Sequence, residues 1–202
     1  TIDSMYGILT INLAGSVPKP YITNLYIGGN QFRNVFGHNI TLFADNTLVE
    51  SNRINDTYMD AIRVWGSNVV FRGNVVSNLY ISGSNHPDVI QTFGAAGAYH
   101  YAKNIIFENN EAYNSYAQPC NMETFGYVDQ YGDWTFRNNL FVGIAGQGNV
   151  GIPRTRWYNN TFYRSASNHM HAITFLTQTN YDGEDAVVMN NLFIACGEFD
   201  SN

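Results

Sequence analysis

The sequence predicts an all-β solenoid: one domain, residues 1–202, built from a short unit that recurs about seven to eight times with loop insertions in some copies. Three observations carry that expectation. An asparagine ends a repeated seven-residue pattern, apolar residues stand at fixed offsets from it, and turn-forming and strand-forming residues are abundant with no long helical stretch.

The repeat comes first. Seven heptads end in Asn30, Asn52, Asn74, Asn110, Asn139, Asn160 and Asn191. Three positions before them stand Ile27, Val49, Phe71, Phe107, Phe136, Trp157 and Val188, and two positions after them Phe32, Ile54, Val76, Ala112, Phe141, Phe162 and Phe193. The asparagines are 22, 22, 36, 29, 21 and 31 residues apart, so a unit of 22 carries insertions in some copies only. A unit this short cannot bury its own apolar face and must stack on its neighbours. Stacked parallel strands bring equivalent residues within about 4.8 Å, close enough for each asparagine amide to bond the next in a ladder.

This pattern, with strands ending in Asn-Asn-x-Phe at Asn138-Asn139-Leu140-Phe141 and Asn159-Asn160-Thr161-Phe162, resembles the right-handed parallel β-helix, the pectate-lyase-like superfamily. The resemblance spans roughly residues 20–196. It implies a right-handed parallel β-helix. The superfamily holds lyases, hydrolases, epimerases and non-catalytic phage fibres, so it does not choose an activity. A β-propeller needs blades of about 40 residues and does not fit this spacing.

Composition narrows the partners. The chain has 27 Asn, against 26 charged residues, and 18 Gly, 14 Tyr and 13 Phe. A net charge of −6 with ten Lys and Arg leaves no basic stripe for nucleic acid. No apolar run reaches the roughly 20 residues of a spanning helix, so no membrane partner is expected. Cys120 and Cys196 amount to neither a disulfide framework nor a zinc site, and no metal motif is present.

Aligning the repeats exposes a second strand in each: Ile40–Phe43, Ile62–Trp65, Ile90–Phe93, Met122–Phe125, Val150–Ile152 and Ile173–Phe175. Glycine follows three of them, at Gly66, Gly94 and Gly126, which suits a tight turn. Alternation turns Ile62, Ile90 and Met122 inward and sets Thr41, Arg63, Gln91, Glu123, Gly151 and Thr174 in one external row, with Phe43, Trp65, Phe93 and Phe125 in a second beside it. Extra residues cluster on both sides of this strand, around 82–88 and 95–103, as walls of a groove do.

That groove holds the candidate chemistry. Asp60 and Asp88 stand two residues before Ile62 and Ile90, with Glu123 one repeat further on. Carboxylates on adjacent strands suit paired acid–base work, with Asp88 and Glu123 in those roles, or a calcium ion near Asp60, Asp88 and Glu123. Their plain alternative is to bond turn backbone. Arg63 can grip a sugar carboxylate or simply pair with a nearby acid. His86 can act as a proton-abstracting base near neutral pH, or sit exposed. Lys103 is the other candidate base, since lyases of the resembled superfamily often use Lys or Arg; otherwise it is a solvated loop charge. Gln91, Trp65, Phe93, Phe125 and His171 are the candidate substrate-binding residues, the rings offering planes to sugar C–H faces or else stabilising the stack itself.

The expected protein is therefore an extracellular or virion-surface polysaccharide binder that cleaves its polymer as a lyase or glycoside hydrolase, acidic polysaccharides being among the candidate partners. The alternative is a phage-fibre or adhesin module without chemistry. Neither the aspartate triad of the superfamily's polygalacturonases nor the calcium-plus-base set of its pectate lyases is evident. The chain opens on Thr1 and stops part-way through a turn, which suits a piece of a longer protein, or a subunit whose ends are covered by partners, as in a homotrimer.

Overall fold

The computed structural model describes residues 2–3, 8–9, 22–81, 86–93, 101–115, 117–124, 128–146, 148–164, 172–176 and 183–196. Among them are 23 short strands and a single 3-10 turn, Val128–Gln130, and no helix is long and apolar enough to cross a membrane. Every pairing between described strands is parallel. The strands form one sheet of eight and one of fifteen, with strong curl, an all-β arrangement compatible with a solenoid.

Each repeat visits three faces. The strands after the repeated asparagine, such as Arg53–Thr57, Val75–Leu79 and Glu111–Ser115, make the eight-stranded sheet. The larger sheet carries the other two faces, joined by the strand Ile62–Arg72. The first half of that strand pairs with Ile40–Asp45 and Asp88–Phe93, and its second half with Thr47–Glu50 and Ala102–Glu108. The bend falls at Gly66, whose φ is 131°, and a Cβ there would come within 1.9 Å of the Ala44 carbonyl oxygen. Glycine is needed for that approach. Gly66 thus carries the strand on through a bend, where the sequence suggested a turn; Gly94 and Gly126 lie outside the described residues.

The asparagine ladder is present at all seven positions. Asn30, Asn52, Asn74, Asn110, Asn139 and Asn160 each donate Nδ2 to the Oδ1 of the next asparagine, over 2.8–3.2 Å. Each also donates its main-chain N–H to that same oxygen, over 2.9–3.0 Å. The second Nδ2 proton of an inner rung goes to the previous repeat, as from Asn52 to the Ile27 carbonyl at 2.9 Å and from Asn110 to the Phe71 carbonyl at 3.0 Å. Two donors and two acceptor sites are all spent. Aspartate lacks the donors and glutamine is one carbon longer, which explains why the position is Asn in every copy.

A second use of asparagine lies at the corners. Counted from each ladder asparagine, the residues six before, one before and four after it all have positive φ, between 46° and 67°, in all seven repeats. The left-handed region is costly for most side chains and mildest for Gly, Asn and Asp. Eleven of these 21 corner residues are Asn and three each are Asp and Gly. Together the corners and the ladder take 18 of the chain's 27 asparagines.

The interior is a column of apolar side chains. The residues three before and two after the ladder are buried in the first six repeats, from Ile27 and Phe32 to Trp157 and Phe162. Rings stack along the axis: Phe136 on Trp157 at 3.9 Å, Phe141 on Phe162 at 4.7 Å, and Phe162 on Phe193 at 5.0 Å. In the last repeat Val188 and Phe193 are half exposed.

Two corrections concern the second strand. The fourth copy runs over Gln118–Glu123, and Phe125 lies outside the described residues. Its register pairs Gln91 with Asn121 and Phe93 with Glu123, so Glu123 stands in the aromatic row and Asn121 in the polar row. The expected exposed rows are also largely covered: Thr41, Gln91 and Trp65 are buried.

Replacing Asn110 by Ala removes the acceptor for two Asn74 donors and a donor to the Phe71 carbonyl. The expected loss is about 3–5 kcal/mol, or a melting temperature lower by about 6–20 °C. Asn191→Ala, at a half-exposed rung that water can reach, should cost less than half as much in the same thermal melts. At the exposed corner Asn138, with φ 56°, Asn138→Gly should be close to neutral while Asn138→Val costs about 1–2 kcal/mol by chemical denaturation.

Candidate functional site

The start of the second strand gathers titratable groups because equivalent positions stack. His38, Asp60 and Asp88 each stand two residues before an inward isoleucine, Ile40, Ile62 and Ile90, which pair in register, and Asp88 pairs with Gln118. One column therefore carries His, Asp, Asp and Gln in four successive repeats. Three residues further along, a second column holds Thr41, Arg63, Gln91, Asn121, Asn149 and Thr174.

Asp60 is buried and fully engaged. Its Oδ2 accepts from Arg63 Nε at 2.6 Å, and its Oδ1 accepts the Asp88 main-chain N–H at 2.9 Å. His38 Nδ1 lies 3.2 Å from Asp60 Oδ2, within ion-pair range but off the line of a hydrogen bond. The Arg63 guanidinium also sits 5.3 Å from the centre of the Phe93 ring, a cation–π contact.

Asp88 is the unusual acid. It has no exposed surface, and burial pushes its pKa up to about 7, opposed by the interaction with His86 and reinforced by the negative charge of Asp60. Gln91 Nε2 donates to its Oδ2 at 2.9 Å. His86 faces outward with 64% of its side chain exposed, its Nδ1 3.8 Å from the same Oδ2. That separation is longer than a direct hydrogen bond and is read as a charge contact. The Asp88 carboxylate raises the His86 pKa above its ordinary value, against partial burial. An exposed imidazole backed by a buried carboxylate is the arrangement that orients a histidine base.

Glu123 stands one strand further. Burial raises its pKa, while a hydrogen bond with the Asn121 side chain and the charge of His86 act the other way. Its field therefore overlaps that of the His86–Asp88 pair.

The remaining sequence candidates lie apart. Lys103 is in register with Ser67 and Gly132, four residues past Arg63, or about 13 Å along the chain direction. Its charge acts on Asp133, which is held below the ordinary carboxylate range first by hydrogen bonds from Arg154, against burial, and then by the charges of Arg154, Arg156 and Lys103. Trp65 is 4% exposed, donates Nε1 to the Phe93 carbonyl at 3.0 Å, and stacks on Phe43 at 4.7 Å with ring planes 7° apart. Trp65 also meets the Phe93 ring at 5.0 Å with planes 84° apart, so its buried ring offers no plane to a sugar. His171, like Phe125, lies outside the described residues, as do 82–85 and 95–100 of the expected walls.

Two residues were missed. His38 is 22 positions before Asp60, one minimal repeat, so the spacing that gave the ladder could have found it. Asn121 was hidden by the register of its strand. Among the described residues, no group of three His, Cys, Asp or Glu is placed to hold a metal ion.

Searches against family models, curated proteins and solved structures find no match to this chain.

The folded pKa of Asp88 lies above its unfolded value near 3.8, so the stability it contributes is full below about pH 4 and lost as pH rises through about 7. His86, also raised on folding, acts with the same sign. The wild-type melting temperature should fall between pH 5 and pH 8, and Asp88→Asn should reduce that fall by about 5 °C or more in calorimetric scans. Equal pH slopes for the two proteins would mean that Asp88 ionises without cost.

Proposed function

We propose that the chain is a right-handed parallel β-helix of the pectate-lyase-like kind, with about seven to eight coils, and that it binds and cleaves an extracellular or virion-surface polysaccharide along the Arg63–Gln91 face. The observation that carries this reading is the His86–Asp88 pair: an exposed imidazole with a fully buried carboxylate 3.8 Å behind it. Two groups that exchange a proton near neutral pH suit general acid–base work on a sugar. His86 takes a proton from water or from a substrate carbon. Glu123, whose pKa burial raises, returns one to the departing glycosidic oxygen. Arg63, a quarter exposed, lends positive charge beside them.

A second reading, a binding or fibre module without chemistry, is favoured by one observation. Asp60 is sealed by Arg63, His38 and the Asp88 amide, as a purely structural acid would be.

The two readings separate in a cleavage assay. Pectate, alginate and neutral glycans are incubated with the protein, and unsaturated ends and reducing sugar are followed. Cleavage by the wild type should fall by about 100-fold or more in His86→Ala and to a smaller extent in Asp88→Asn. Absence of both products across the whole panel would favour the binding module.

A further inference from the structure

Among the buried side-chain oxygens of the second face that have no hydrogen-bond partner among the described residues are Asp88 Oδ1, Gln91 Oε1 and Asn121 Oδ1, with Thr92 Oγ1 and Gln118 Oε1 on the same strands. Thr174 Oγ1 is in the same state. Gln91, Asn121, Asn149 and Thr174 are in register on four adjacent strands, a row of about 14 Å at the spacing of parallel strands. Gln91 is oriented by an acid, giving its NH2 to Asp88 Oδ2 at 2.9 Å. A carboxylate oxygen only accepts, so the Gln91 donor is spent there and its own oxygen is left unmatched. Gln91 and Asn121 are each 6% exposed, and native proteins leave few such buried acceptors without a donor.

We infer that this row is the substrate lane, and that its occupant is an uncharged, hydroxyl-rich glycan lying across the strands, whose O–H groups donate to Gln91 Oε1 and Asn121 Oδ1. The inference rests on the polysaccharide reading above and selects within it. Hydroxyls bring the missing donors. A polyuronate brings carboxylates, which add acceptors beside Gln91 and Asn121 and negative charge beside Asp88 and Glu123, and so it is disfavoured. A neutral chain has no carboxylate to acidify a neighbouring carbon, so the reaction served is hydrolysis. Water attacks the anomeric carbon and loses its proton to His86, the glycosidic C–O bond breaks, and the leaving oxygen takes a proton from Glu123.

The test is calorimetric titration of His86→Ala, which holds substrate uncut. The probes are neutral glucan, mannan, galactan and xylan oligosaccharides, their O-methylated counterparts, and oligogalacturonate. At least one neutral oligosaccharide should bind, and O-methylation, which removes donors and keeps acceptors, should weaken it about tenfold or more. Gln91→Leu and Asn121→Leu, each added to His86→Ala and checked for folding by circular dichroism, should weaken it by a similar factor. The methylated ligands give the same readout without altering the protein further. Oligogalacturonate binding as tightly as the neutral chains, or methylation without effect, overturns the inference and leaves the polysaccharide reading standing. No binding of any glycan overturns both.

Discussion

The amide ladder is the constraint on which the rest of the molecule depends. Each rung joins two neighbours through its side chain and main chain together, so the stacking register is set at one corner of every repeat. The stretch from six residues before the ladder asparagine to four after it keeps its length and its three left-handed corners in all seven copies. Every insertion falls elsewhere, on one side or the other of the second strand. That division has a physical cause. A buried amide with four satisfied bonds tolerates no slip, because a displaced rung would strand buried donors, whereas a loop leaving the stack on the far face disturbs no shared bond.

The same stacking makes the charged column. Once Ile40, Ile62 and Ile90 are brought into register, the residues two before them are carried along, and His38, Asp60 and Asp88 become neighbours although they are 22 and 28 residues apart in the chain. Their fates then diverge through local environment. Asp60 meets Arg63 on its own strand and is neutralised by it. Asp88 has Gln91 at the equivalent place, a neutral donor, and burial raises its pKa, offset by His86 and by the charge of Arg63. Three residues after the acid, Arg in one repeat and Gln in the next leave Asp60 ion-paired and Asp88 with a neutral donor.

Much of this was legible in the chain. The ladder, the two core offsets and the second strand of the 22-residue repeats follow from repeats that keep their length, and Asp88 and Gln91 align with Asp60 and Arg63 despite the insertion before them because Asp60-Ala61-Ile62 recurs as Asp88-Val89-Ile90. Less legible was anything reached by counting through an insertion. Met122 was aligned with Ile90 because both are apolar and precede a polar residue, yet Cys120 is the partner. A shift of two residues leaves the inward and outward sets unchanged, so the apolar pattern cannot detect it, and it moved Glu123 out of the polar row and Asn121 into it. The exposure of Trp65 was misjudged for a related reason: alternation says which side of a sheet a ring leaves from, not what lies over it.

The sequence alone determined that the chain stacks, at which residues it stacks, and which side chains fill the axis, because those properties are local and repeated. Only the tertiary structure decided which polar groups on the second face meet, which are buried, and which oxygens are left without donors. Those depend on a register carried across loops of unequal length and on solvent access. Both are properties of the assembled stack and are encoded at no single position along it.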